Sequence, residues 1–327
     1  MEGTTFYFSW EPVLMEALQR YMGPAGTTIA SVLTMCGEEM LLIAILGFLY
    51  WCWDKQFGIF VGTSIVCGIV WNPLVKNLVL RRRPYFDLAG VKCLRAVDSS
   101  ADIYDISAQG YSFPSGHSTN STIIYGALPL YRRAERRRQS PRALRFFTIL
   151  AFVLPFLVGI SRVLLGVHYP TDVLVGWAMG AGIVFLVSYL QKKVKRRGLL
   201  HLILVLVSLL GIFYCKTTDY YTSLGIMIGF FLALPFEERF VKFENTRSVP
   251  RMILRVLGGI ALYLVLNTLL KAPFPPMLLE EPTALAFLIR TARYAIIVFF
   301  VMAVYPLSFR LLGKKRHPGG LDAAANR

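Results

Sequence analysis

The chain has 327 residues, 55% of them apolar, with a mean hydropathy of +0.55 and a formal net charge of +16. Soluble domains run at roughly 45–50% apolar, so the excess excludes an ordinary water-soluble fold and indicates an all-α integral membrane protein with many spans. The basic surplus fits cytoplasmic loops, and with no nucleic-acid motif beside it no nucleic-acid partner is expected.

The N-terminal stretch MEGTTFYFSWEPVLMEALQRYMG lacks the basic start, apolar centre and small-residue cleavage site of a signal peptide. Residues 1–29 are expected to form an interfacial segment, with apolar side chains at helical spacing over 10–22. Apolar runs of membrane-spanning length then predict nine spans: 30–51, 57–80, 114–131, 146–165, 170–191, 199–215, 222–236, 252–271 and 285–312. The tail 314–327, KKRHPGGLDAAANR, reads as a disordered basic cytoplasmic segment. Five cysteines (Cys36, Cys52, Cys67, Cys93, Cys215) show no paired spacing, so neither a disulfide framework nor a metal site is expected.

Lysine and arginine fix the expected orientation. One set of loops and helix ends carries 23 of the 35 basic residues. By the positive-inside rule that side is cytoplasmic, which puts the N-terminus outside and the C-terminus inside. Trp51 and Trp53 would mark the inner interface of the first span. With no targeting segment evident, a bacterial plasma membrane is the expected location.

Three stretches then reach the outer face. The second span ends VKNLVLRRRPYFD, where Lys76 and Arg83 are two helical turns apart and point the same way. Residues 110–119, GYSFPSGHST, open the third span and place Ser115, Gly116 and His117 at a helix N-terminus, whose free amides and positive dipole end suit an anion. Between the fourth and fifth spans, GISRVLLGVHYPTDVLVGW brings Arg162, His168 and Asp172 to the same level, with Asp172 one turn from His168. A single histidine at a helix start or arginine at a helix end is ordinarily structural. Three separated segments converging on one level form a site for a tetrahedral phosphate. His168 oriented by Asp172 is a candidate nucleophile, and His117 a candidate acid for the departing oxygen and later base for water.

K-x6-RP at Lys76–Pro84, PSGH at Pro114–His117 and SR-x5-H-x3-D at Ser161–Asp172 together resemble the three motifs of the type 2 phosphatidic acid phosphatase superfamily. The resemblance implies a six-helix phosphatase core, here 30–215, acting without a metal or other cofactor through a phosphohistidine. It implies His168 as nucleophile, Asp172 as its orienting partner and His117 as acid and base. Lys76, Arg83, Ser115, Gly116 and Arg162 would hold the phosphate. The stretch GEEMLLIAILGFLYWCWDK is also similar to the corresponding part of sphingosine-1-phosphate phosphatases, which carry PSTH where this chain has PSGH.

Residues 216–313 add about three spans outside that core. Arg290 and Arg293 lie one turn apart in the last span, and Glu38 and Glu39 lie in the outer half of the first. Ionisable groups at such depth are costly and are usually paired or functional. One expectation is a Glu–Arg pair locking the extra spans to the core. The other is that these four residues line the lipid cleft and meet a polar head group.

The function expected is hydrolysis of a lipid phosphomonoester, either a long-chain-base phosphate or a phosphatidic-acid-like lipid, on the extracytoplasmic face. Three alternatives stand beside it: a polyprenyl (undecaprenyl) diphosphate phosphatase, a lipid phosphotransferase, and a non-enzymatic lipid binder or transporter. The partners implied are the lipid substrate and membrane lipids, and the extra spans leave room for a homo-oligomer contact.

Overall fold

The computed structural model describes residues 3–134 and 141–311, and the tail 314–327 lies outside the described residues. Among the described residues the chain is helical, with one isolated β-bridge between Thr4 and Arg81. The long helices are α1 (Trp10–Met35), α2 (Glu39–Phe48), α3 (Lys55–Val79), α6 (Gly116–Ala134), α7 (Pro141–Leu164), α8 (Pro170–Lys193), α9 (Arg197–Leu209), α10 (Thr218–Phe236), α11 (Val249–Lys271) and α13 (Ala284–Phe299). Short helices punctuate the connections: α4 (Pro84–Asp87), α5 (Ile106–Gln109), α12 (Pro276–Glu280) and α14 (Ser308–Leu311).

Six stretches are long and apolar enough to cross a membrane: Trp10–Trp53, Lys55–Val79, Pro141–Leu164, Pro170–Lys193, Val249–Lys271 and Ala284–Leu307. The other three expected spans are helical but fall short for identifiable reasons. The α6 helix begins with the polar run GHSTNST, α9 is only 13 residues long, and α10 opens on TDYYTS.

The expected first span takes a different form. Helix α1 runs through the predicted interfacial segment, bending at Gly23 (φ 58°), the residue before Pro24. It stops at Met35, and a turn over Cys36–Glu38 precedes α2. The α2 helix continues as a π turn over Leu49–Trp53. Trp51 is not the expected interfacial anchor. Its ring is 4% exposed, packs edge-on against Tyr305 and Phe309, and lies over Gly259 of α11, where any β-carbon would come within 2.3 Å of it. Trp53 is exposed.

Glycines permit close helix crossings. A β-carbon on Gly176 or Gly180 of α8 would meet the backbone oxygens of Ser115 and Thr119 at 2.8 and 2.6 Å, so this small-x-x-x-small pair draws α8 against the start of α6. The same device recurs in α10, where a β-carbon on Gly225 or Gly229 would stand 2.3 Å from the carbonyl of Thr291 or Ala295 of α13. One apolar core joins α3, α6 and α8 to α10 and α13 through Cys67, Val70, Ile123, Val184, Met227, Phe230 and Ile297. Two smaller clusters, around Met15 and Tyr169 and around Tyr85 and Val167, sit under the connections at the other end.

Candidate active site

The site lies where α3 ends, α6 begins, and α7 turns into α8. Helix α3 stops because Leu80 takes a left-handed conformation (φ 56°), its amide still bonded to Lys76. From there the chain runs extended, and the three successive arginines meet different fates. Side chains alternate along extended backbone, so Arg81 and Arg83 turn inward, 0% and 2% exposed. Arg82 faces outward and pairs with Asp87 at 2.7 Å.

Arg83 is held firmly. Its guanidinium donates to the carbonyls of Gln109 (2.7 and 2.9 Å), Gly110 (3.1 Å) and Val167 (2.8 Å). That leaves Nη1 3.4 Å from Nε2 of His168. Arg162 is 3% exposed in the last turn of α7, donates to Thr34 Oγ1 at 2.9 Å, and keeps a buried Nε without a partner. Lys76 lies within electrostatic reach of Arg83, Arg162 and Asp172.

Asp172 is fully buried in the first turn of α8. Its Oδ2 accepts from the Tyr169 amide at 2.8 Å and stands 3.4 Å from Nδ1 of His168, while Oδ1 accepts from Arg81 at 2.6 Å. His168, in the turn between α7 and α8, is 2% exposed. Burial, together with the charges of Arg83, Arg162 and Lys76, holds its imidazole well below the ordinary histidine pKa. It is therefore neutral at neutral pH, with Nε2 toward the cations.

The PSGH stretch is tied to this framework from both sides. The Ser115 amide donates to the Asp172 carbonyl at 3.0 Å, and its hydroxyl accepts from the Ser118 hydroxyl at 2.9 Å. Asn72 of α3 donates to the Pro114 carbonyl and to Thr119 Oγ1 at 3.3 and 3.2 Å. A β-carbon at Gly116 would meet only Asn72 Oδ1, at 3.7 Å, so the surface over this first turn is open to close approach. The amides of Gly116 and His117 have no helical carbonyl four residues back to bond. His117 lies over the turn that interrupts the first span, with a β-carbon on Gly37 falling 3.3 Å from its ring.

The structure thus brings together the eight candidate site residues drawn from the three motifs. It distributes the four other candidates differently. Glu38 pairs with Arg95 of the α4–α5 connection, beside Arg162. Arg293 donates to Asn267 of α11, and Arg290 to the Leu279 carbonyl. The expected Glu–Arg lock to the extra spans is therefore not formed by Glu38, because Arg95 is nearer. Glu39 faces Tyr263 of α11. Sequence reasoning missed Thr34, Asn72, Arg81, Arg95 and Glu11. Only Asn72 carried a local signal, as a polar side chain in the middle of an apolar run.

Comparisons with known proteins give the family. Residues 56–196 match the model of the PAP2 superfamily, and residues 221–317 match the PAP2 superfamily phosphatase transmembrane extension. The chain is 31% identical over 176 residues to decaprenylphosphoryl-5-phosphoribose phosphatase of Mycobacterium tuberculosis, a match spanning 52% of this chain and 85% of the relative. The chain belongs to the PAP2 superfamily. It is also 42% identical over 86 residues to phosphatidylglycerophosphatase B of Bacillus subtilis, covering 26% of this chain and 42% of that one. Identity to undecaprenyl-diphosphatase of Sulfolobus acidocaldarius is 30% over 132 residues, covering 40% and 54%. The chain thus spans about half the length of these last two relatives. The crystal structure of a transmembrane PAP2-type phosphatidylglycerolphosphate phosphatase from Bacillus subtilis aligns with a TM-score of 0.44 at 27% identity, over 57% of this chain and 87% of that one.

Proposed function

We propose that this PAP2 protein hydrolyses the phosphomonoester of a membrane lipid through a phosphohistidine on His168, on the extracytoplasmic face. The observation that carries the reading is the neutral, buried His168, with Asp172 at Nδ1 and the fixed guanidinium of Arg83 beside Nε2.

Nε2 attacks phosphorus as the bond to the lipid oxygen breaks, and His117 donates a proton to that leaving oxygen. His117 then takes a proton from water, which attacks phosphorus and releases His168 and inorganic phosphate. Arg83, Arg162, Lys76 and the first-turn amides of Gly116 and His117 surround the charge on the equatorial oxygens. Ser115 supports this turn through its cap on the Ser118 amide and the bond of its own amide to the Asp172 carbonyl of α8. Glu38, held by Arg95 beside Arg162, borders the site. Loss of activity in folded Glu38→Gln would assign it to substrate, whereas loss of fold would make its pair with Arg95 structural.

A lipid diphosphate is the second reading. It is favoured by the several cations gathered here and by the undecaprenyl-diphosphatase relative. The test is phosphate release by purified protein in detergent with chelator present. Substrates would be a phosphatidic acid, a long-chain-base phosphate and a polyprenyl diphosphate, with His168→Ala as control. Release that survives chelator and disappears in the variant supports the histidine mechanism, and the preferred lipid selects between the readings. Inertness of folded wild-type protein toward all three would overturn simple hydrolysis in favour of transfer to an acceptor or binding alone.

A further inference from the structure

Behind the proposed catalytic dyad, Asp172 opens a chain of buried charge whose other members, Arg81 and Glu11, are not among the defined positions of the three motifs. Arg81 has every face occupied. Its Nε donates to the Phe6 carbonyl at 2.9 Å, and Nη1 donates to Thr171 Oγ1 at 2.8 Å and to Asp172 Oδ1 at 2.6 Å. Its Nη2 donates to Glu11 Oε2 at 2.9 Å. The guanidinium plane lies 3.8 Å over the Tyr169 ring and 4.6 Å from the Phe6 ring.

Glu11, in the first turn of α1, is also fully buried. Its Oε1 accepts from the amide and hydroxyl of Thr171 at 3.0 and 2.7 Å, and Oε2 accepts the Phe8 amide at 2.9 Å. The N-terminal segment is laid along the end of α3 to make this arrangement. Thr4 bridges Arg81 in parallel, its amide donating to the Leu80 carbonyl at 2.8 Å and its hydroxyl to the Val79 carbonyl at 2.7 Å.

A buried carboxylate–guanidinium–carboxylate chain is a poor way to gain stability, because desolvation offsets most of the attraction. Its position gives it a more specific use. Of the two oxygens of Asp172, one faces His168 and the other is fixed by Arg81, so the carboxylate can neither rotate nor retreat. An Arg81 charge left alone would cancel the negative charge that Asp172 presents to the imidazole. Glu11 offsets it.

We infer that Glu11 and Arg81 are positioning residues for the reaction, Arg81 fixing the rotamer of Asp172 and Glu11 keeping that carboxylate's charge available to His168. The N-terminal segment, which precedes the residues matched to the PAP2 model, then becomes part of the catalytic apparatus. The inference rests on His168 being the nucleophile.

The charged groups facing His168 fix the sign of the test. They are Lys76 of α3, Arg83 after it, His117 of α6, Arg162 of α7 and Asp172 of α8. Asp219 at the start of α10 acts on Lys76 and Arg83. In Glu11→Gln the positive charge of Arg81 is no longer offset, the imidazolium becomes less favourable, and the titration midpoint of His168 falls.

The experiment is carried out on the full-length protein in detergent. Histidine ring nitrogens are followed by NMR against pH in the wild type and in Glu11→Gln, with His168→Ala assigning the resonance. Turnover of a short-chain phosphatidic acid is measured in parallel. The expected result is a midpoint lowered by about half a unit or more, with kcat reduced on the order of tenfold and KM unchanged. Arg81→Lys keeps the charge but loses the fork, and should lower kcat without moving the midpoint. It carries the kinetic test if Glu11→Gln does not fold. A midpoint and a kcat per folded molecule unchanged in both variants would overturn the inference. Wild-type protein that titrates as described but releases no phosphate would sink the hydrolase reading instead, and the NMR comparison would still decide the role of Glu11.

Discussion

The motif end of the α3–α6–α8 bundle and the added helices α10–α13 share close glycine crossings but differ in what is built around them. At the motif end, Arg81, Arg83, Arg162, His168 and Asp172 are all at least 97% buried, and hydrogen bonds fix their places. In the added region a close crossing is made by the absence of side chains, with Gly225 and Gly229 letting α10 lie against the backbone of α13. The first kind of construction fixes orientation at the level of single atoms. The second fixes only distance. A site that must hold an imidazole 3.4 Å from both a carboxylate and a guanidinium requires the first, whereas a scaffold does not.

The contrast is broken most directly at the proposed nucleophile. His168→Ala is expected to reduce kcat by roughly 10³-fold or more with little change in folding, as read by lipid phosphate release and a thermal melt on the same preparation. Arg162→Met removes a buried guanidinium whose Nε has no partner in the structure, and if it binds phosphate as proposed a loss of about 10²–10³ in kcat/KM is expected. Gly229→Val is the counterpart in the added region. Its new side chain has no room beside the Ala295 carbonyl, so the cost is about 1–3 kcal/mol of stability. The kcat of the molecules that remain folded is expected to be unchanged. A lower kcat at unchanged melting would show that α10–α13 also hold the site in register.

The pH dependence tests the electrostatics. The folded pKa of His168 is depressed, so the neutral nucleophile persists until pH falls to that folded value. The acid limb of kcat/KM in the free enzyme therefore lies below about pH 6.5. The unfolded chain takes up its proton first, so stability is lost as pH drops below the unfolded value. An acid limb at or above about 6.5 would contradict the neutral, buried imidazole. The smallest effect is expected at Asp98, a loop residue that caps Ser100 at 2.8 Å. Asp98→Asn should change stability by no more than ~0.5 kcal/mol in the melt.

Much of the site was legible because its residues come in local spacings that the helix and its termini translate directly. Ser115 to His117, and His168 with Asp172, sit within about a turn of one another. Lys76 and Arg83 are not joined by two helical turns as the spacing suggested, because α3 ends at Val79 and the extended backbone after Leu80 turns Arg83 inward. Glu11 and Arg81 were not legible for the complementary reason. Arg81 is one of three consecutive arginines, and only the left-handed residue at Leu80 and the extended backbone after it decide which of them turn inward. Its partner lies 70 residues away. The first span was misread because hydropathy averages across the Cys36–Glu38 turn that brings Gly37 to His117. Trp51 was misread because depth in a membrane does not say which face a neighbouring helix covers.

The most direct measurement is a rapid acid-free quench of the enzyme turning over a radiolabelled phosphate ester with a good leaving group. The covalent label is then mapped to its residue. Label on His168, stable to base, labile to acid and absent from His168→Ala, is the predicted result. Turnover at a full rate in His168→Ala, or single-turnover hydrolysis with no label on any histidine, would contradict the account.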